Sequence, residues 1–311
     1  MALLLSMLVG CASMPAGVDP AALREHHPQA TELKEVPFFP QEAYQCGPAA
    51  LATVLRWGGA EVTPAALSPA LYIPEKHGTL QVEMVAEARA RGRLVYRLSP
   101  HIESLLSELE AGHPVVVLQN LGLGWWPVWH YAVVVGFDPV EPDVILRSGR
   151  HRRWVTPLPL FERTWARSGH WAIVVLDPQQ LPASAEAPGF LDAALGLERA
   201  HQWHAAEAAY RVATRRWPED YWFRLGLANS LQQQGSLNAA EKAYRRAIRL
   251  DPNAPTAYNN LAIVLAHQRR WDEALASAGR AVALGGALGE TFRETLETIA
   301  CQRSGVDCPA R

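Results

Sequence analysis

The chain has 311 residues, 49% of them hydrophobic and 19% charged, an ordinary globular balance with enough apolar mass to bury the cores of two domains. Its 29 Lys and Arg stand against 31 Asp and Glu. The basic excess that neutralises a phosphate backbone is therefore missing, and nucleic acid is not expected as a partner.

The first segment, MALLLSMLVGCASMP, is an apolar run of about ten residues, half of the roughly 20 that a bilayer crossing takes. Leu8, Val9 and Gly10 ahead of Cys11 resemble a bacterial lipobox, although no Lys or Arg precedes the run. The resemblance implies export with residues 1–11 as the signal segment, and lipidation of Cys11. Ala12 and Ser13 carry no Asp retention signal, so the expected address is the cell envelope, at the periplasmic face of the outer membrane. A buried N-terminal helix is the alternative, but the polar stretch that follows offers it no partner surface. Export places the cysteines in an oxidising compartment. Cys301 and Cys308 frame the polar segment QRSGVD and are candidates for a bridge that contributes about 2.5 kcal/mol through chain entropy. Cys46 is then left unpaired, either as a packed thiol or as a reactive one.

The region from 33 to 177 mixes helical and strand-like segments. VPFF (36–39), PVVVLQ (114–119), WHYAVVVGF (129–137), DVILR (143–147), RRWVT (152–156) and HWAIVVL (170–176) have the β-branched and aromatic content of strands. Helices are predicted over Cys46 to Trp57, stopped by Gly58 and Gly59, from Thr63 and Pro64 onward, over Thr79 to Ala90 and over 100–111. Late strands joined by short turns, after early helices, predict an α+β domain with an antiparallel sheet. Residues 178–189, rich in Pro, Ala and Ser, read as a linker.

Beyond the linker one period recurs. Ala206, Ala240 and Ala274 are 34 apart, as are Trp203, Leu237 and Trp271, while Tyr210 pairs with Tyr244, Ala213 with Ala247 and Ala281, and Pro218 with Pro252. That is the tetratricopeptide period, in which small residues let the two helices of each hairpin approach closely. AAEAAYRVATRRWPED and NAAEKAYRRAIRLDPN resemble the second helix and terminating turn of that family. The expectation is an all-α solenoid over 190–303, with three repeats and a capping helix, that binds a protein partner or substrate.

In QEAYQCGPAALATVL, Cys46 stands at the start of the predicted helix, near unsatisfied N–H groups and the positive end of the macrodipole, which favours thiolate. His130 opens a later strand, 84 residues on. QEAYQCGPAAL and HYAVVVGFD together resemble the papain-like cysteine peptidases of the bacteriocin-leader-processing, double-glycine type, over about residues 33 to 177. The resemblance implies that Cys46 is the nucleophile, His130 the general base and acid, and Gln41 an oxyanion donor beside the Cys46 N–H, with Gln45 as the alternative. The family places an aspartate at the end of the next strand; this chain has Ser148 there, an uncharged orienter, while Asp138 and Asp143 fall in the intervening turn.

His113, His77 and His170 read as surface or turn residues, and no Cys and His spacing resembles a zinc site, so neither metal nor cofactor is expected. Trp125, Trp126 and Trp129 just ahead of His130 either wall an apolar or extended peptide or plug the sheet edge. The chain thus reads as a lipid-anchored thiol peptidase acting on a peptide or protein, or as a degenerate pseudopeptidase that only grips one.

Overall fold

A computed structural model describes residues 20–41 and 45–304. Cys11 and Cys308 lie outside the described residues; Cys301, at the other end of the expected bridge, is disulfide-bonded. The described residues divide into two compact units, one of 20–88, 95–176 and 182–184, the other of 89–94, 177–181 and 185–304.

The first unit is built from α1 (Pro20–His26), β1 (Thr31–Glu32), α2 (Cys46–Trp57), α3 (Pro64–Leu71), a 3-10 turn at Pro74–Lys76, α4 (Gln81–Ala90), β2 (Leu94–Arg97), α5 (Ile102–Glu110), β3 (Val115–Asn120), β4 (Trp129–Asp138), β5 (Asp143–Ser148), β6 (His151–Pro157), α6 (Leu158–Ala166) and β7 (Ala172–Leu176). Its sheet runs β2-β7-β3-β4-β5-β6, with β1 added on β4. β3, β4, β5 and β6 pair antiparallel in succession, and β7 pairs antiparallel with β3. The central strands are runs of Val, Ile and Leu buried on both faces, as strands covered on both sides must be. Helix α2 buries every residue from Gly47 to Leu55, and Ala50, Leu51, Ala52, Val54 and Leu55 join Val116, Val133 and Ile173 in one core.

Local chemistry sets the boundaries. The Gly58 N–H donates to Val54 O at 3.0 Å and Gly59 takes φ +84°, so the glycine pair ends α2 where expected. The Thr63 side chain accepts from the Ala66 N–H and caps α3.

VPFF is not a strand. Val36 is fully buried, but the carbonyls of Leu33, Lys34 and Val36 accept from the Arg147 guanidinium at 3.4, 2.9 and 3.3 Å, and Pro37 and Pro40 have no N–H for a ladder. Thr31 and Glu32 pair with β4 instead. Helices α1 and α6, strands β1 and β2 and the 3-10 turn at Pro74–Lys76 are elements that the sequence pattern did not yield.

The second unit holds α7 (Ala187–Arg199), α8 (Trp203–Arg216), α9 (Tyr221–Gln233), α10 (Leu237–Leu250), α11 (Pro255–His267), α12 (Trp271–Leu284) and α13 (Gly289–Ser304). These are three antiparallel helix pairs and one further helix. Of the residues spaced by 34, Ala206, Ala240 and Ala274, Ala213, Ala247 and Ala281, and Tyr210 and Tyr244 are fully buried, while Trp203, Leu237 and Trp271 are half-buried. Gly226 shows why small residues recur: a Cβ there would lie 2.2 Å from the Tyr210 ring. Helix α7 starts within the stretch read as linker, because Pro188 sits in its first turn with φ already helical.

Candidate active site

Cys46 is the first residue of α2, and Gln45 ahead of it makes no side-chain capping bond. The N–H groups of the first turn are consequently available to the sulfur, and the backbone groups of Gly47 and Cys46, with that of Tyr131 on β4, favour its thiolate. Gly47 is packed against Thr79; a Cβ would lie 2.4 Å from its Oγ1, so the turn that presents the sulfur has no room for a larger residue.

His130 stands on β4 beside Asn120 and Gln119 of β3. Its Nε2 lies 2.9 Å from Ser148 Oγ, at the end of β5, in hydrogen-bond contact. Gln41 is half-buried and donates its backbone N–H to Gly149 O at 3.0 Å, which fixes it beside the β5–β6 turn. Cys46, His130 and Gln41 line one cavity of about 1000 Å³ together with Thr79, Leu80, Leu118, Val128, Trp129 and Tyr131. Residues 89 positions apart in the chain, from Gln41 to His130, thus meet at a single concavity.

Burial controls the electrostatics. It pushes the Cys46 thiol above its ordinary value, outweighing the backbone N–H groups that favour thiolate. Burial also lowers the His130 imidazole. The expectation that the helix terminus would yield a thiolate is therefore corrected: desolvation wins, and at neutral pH the pair rests as thiol and neutral imidazole. Tyr131 is pushed up as well, by burial and by its proximity to Cys46, so its phenol stays neutral while it donates to Thr79 O at 3.2 Å.

Ser148 is the side chain in hydrogen-bond contact with the His130 ring. Asp138 and Asp143 are cross-strand partners at the far end of β4, eight residues or about 27 Å from His130 at roughly 3.4 Å per residue. Gln45 is exposed and does not line the cavity, so of the two glutamines expected there only Gln41 does; Gln81, at the start of α4, lines it as well. His77 lines the cavity from a left-handed turn at φ 47°. His113 is not a surface residue but buried, with Nδ1 2.7 Å from Glu108, whereas His170 is half-buried in the turn before β7 at φ 53°, with Nε2 2.6 Å from Glu162. Trp129 lines the cavity, whereas Trp125 and Trp126 do not and are 79% and 70% exposed. Among the described residues no group of three or more His, Cys, Asp or Glu is placed to hold a metal, and no helix is long and apolar enough to cross a membrane.

Two contributors were invisible in the sequence. The Tyr131 N–H is a backbone group, which no residue type advertises. Thr79 lies in a loop whose approach to Gly47 depends on how α2 and α4 pack.

A thiol at a helix N-terminus and an imidazole on a sheet strand, sharing one cavity in an α+β unit, define a papain-like cysteine-peptidase fold. Comparison gives the same class: residues 33–173 match the model of the Peptidase_C39 like family, and residues 225–288 match that of the tetratricopeptide repeat. The chain is a C39-like peptidase domain followed by tetratricopeptide repeats. None of the curated proteins matches it. Among solved structures, a putative C39-like peptidase from Bacillus anthracis aligns at 20% identity and TM-score 0.42, over 48% of this chain and 98% of that one. The TPR2B domain of yeast Sti1, in complex with pHsp70, aligns at 22% identity and TM-score 0.37, over 38% and 98%. The type III secretion translocator chaperone SycD of Yersinia enterocolitica aligns at 19% and 0.35, over 37% and 83%.

Proposed function

We propose that the chain is a thiol peptidase that cleaves a peptide or protein, carried to the cell envelope by a lipid on Cys11, with its repeats binding substrate or a partner. The observation that carries the catalytic reading is the meeting of Cys46, His130 and Gln41 at one cavity, with His130 Nε2 held 2.9 Å from Ser148 Oγ. In the productive tautomer Nε2–H donates to Ser148 and Nδ1 offers its lone pair. His130 takes the Cys46 proton as the sulfur attacks the carbonyl carbon, and the Gln41 amide and the Cys46 N–H donate to the oxyanion. The imidazolium then gives the proton to the leaving amine, and water, deprotonated by the same imidazole, releases the acyl group. A neutral resting pair suits this route, because the proton moves during attack rather than before it. For the repeats, support comes from a groove of about 810 Å³ lined by Ile263, His267, Trp271, Thr295 and Ile299, between α11, α12 and α13.

The test is cleavage: full-length protein incubated with a mixed peptide library, with products read by mass spectrometry. New termini from the wild type and none from Cys46→Ala support the peptidase. A second reading, a peptide-gripping pseudopeptidase, is favoured by Ser148, which holds the imidazole but cannot stabilise imidazolium by charge; identical product lists from the two proteins would establish it. Intact, unmodified residue 1 in the membrane fraction would refute the lipid anchor.

A further inference from the structure

Among the described residues, the cavity beside Cys46 is lined by Lys76, Arg150 and Arg167 and by no Asp or Glu. The three cations come from separate segments: Lys76 ends the 3-10 turn, Arg150 sits in the β5–β6 turn next to Gly149, and Arg167 follows α6. None of them takes part in an ion pair among the described residues, although the chain as a whole carries slightly more acid than base. Elsewhere on this protein exposed arginines find carboxylates, as Arg56 does with Glu61 and Arg153 with Glu32.

Arg167 is also fixed in place. Its Nη1 donates to the carbonyls of Asn120 and Gly122, which leaves the Nε and Nη2 donors of a five-donor fork for another acceptor. The rest of the lining combines the apolar Leu80, Leu118, Pro127, Val128 and Trp129 with uncharged polar groups such as Gln81 and Ser168.

Building on the peptidase reading, we infer that this cavity selects a carboxylate-bearing peptide, with Lys76, Arg150 and Arg167 as its specificity residues. A cavity with one sign of charge and apolar walls focuses its field on the ligand and raises the local concentration of the opposite charge. The cations are exposed, so each contributes modestly and is screened by salt. The carboxylates can be side chains near the scissile bond or the chain terminus of a short peptide, and both are recognised by the same chemistry.

Binding separates this inference from catalysis. Full-length Cys46→Ala is titrated by fluorescence anisotropy with labelled peptides that differ only in Glu or Gln flanking an apolar centre, each with a free or amidated C-terminus. The expected result is binding about fivefold tighter per carboxylate at low salt, with the preference lost in 1 M salt, where the Debye length is about 3 Å. Arg150→Gln and Lys76→Gln, both on surface turns, should each reduce the preference, and Arg150→Glu should reduce it further. A gain confined to Glu peptides assigns the carboxylate to side chains; a gain confined to free C-termini assigns it to the chain end. Equal affinity for Glu and Gln peptides with either terminus overturns the inference. So does binding to phosphatidylglycerol vesicles without binding to any acidic peptide. If acidic peptides bind preferentially but the wild type cleaves none, the selectivity stands and the peptidase reading falls; if the wild type cleaves Glu and Gln peptides equally well, the peptidase stands and the selectivity falls.

Discussion

The two units use opposite kinds of packing. In the repeat unit, buried alanines return every 34 residues, and each helix meets mainly its neighbours in the chain, as α9 does α10 and α11 does α12. In the sheet unit, β7 inserts beside β3, the backbone of residues 33–36 is held by Arg147 more than a hundred positions later, and the site draws on six separate segments. A solenoid is specified piece by piece, whereas a site on a sheet exists only when the whole unit has closed.

The widest break in that comparison comes from the core of the sheet unit. Trp165 is fully buried on α6, stacks on Phe161 and donates its Nε1–H to Trp171 O at 3.0 Å. Trp165→Ala is expected to cost the sheet unit about 3–5 kcal/mol. In urea, peptide-probe labelling of Cys46 should disappear well before the helical circular dichroism of the repeats. Simultaneous loss of both signals would mean that the units unfold as one. A smaller break targets the repeats. Gly226→Ala drives a Cβ into the Tyr210 ring and should cost about 1–3 kcal/mol, lowering the helical melting transition while the labelling rate at 25 °C stays unchanged. Smaller again is Tyr244→Phe, which removes hydroxyl contacts to Asn229 at 2.8 Å and Gln232 at 2.6 Å and should cost about 0.5–1.5 kcal/mol in the same melt.

The same contrast explains what could be read in advance. The repeat period, the helix Cys46–Trp57 with its glycine stop, and strands β3 to β7 follow from local patterns, and so does their antiparallel arrangement. Strand β2 is only LVYR and too short to show alternation, while LPLFERTWA in α6 carries a proline that resembles a turn. For VPFF the apolar content was right and the partner wrong, since a guanidinium rather than a strand satisfies the carbonyls of 33, 34 and 36. At the site, Cys46, His130, Gln41 and Ser148 were legible as residue types. The Tyr131 N–H, the contact of Thr79 with Gly47 and the net effect of burial on the thiol were not, because each depends on three-dimensional closeness.

The smallest expected effect sharpens the role of Ser148. An uncharged orienter holds the imidazole without stabilising imidazolium, so Ser148→Ala should slow labelling far less than His130→Ala. Ser148→Asp should raise the His130 pKa, since a nearby anion favours the charged ring. The acid limb of the labelling profile should then move to higher pH, because the base form is lost as pH falls through the folded-state value.

The central claim is that Cys46 and His130 act as one unit although burial holds both neutral. The direct measurement is the pH dependence of Cys46 labelling by a peptide vinyl sulfone in wild type and in His130→Ala. With His130 lowered from 6.5 and Cys46 raised from 9.0, the wild type should show a plateau that extends below pH 6.5 and holds through neutrality. His130→Ala should lose the plateau and label only as the thiol ionises at high pH. Coincident profiles for the two proteins, both rising only with thiol ionisation, would contradict the account.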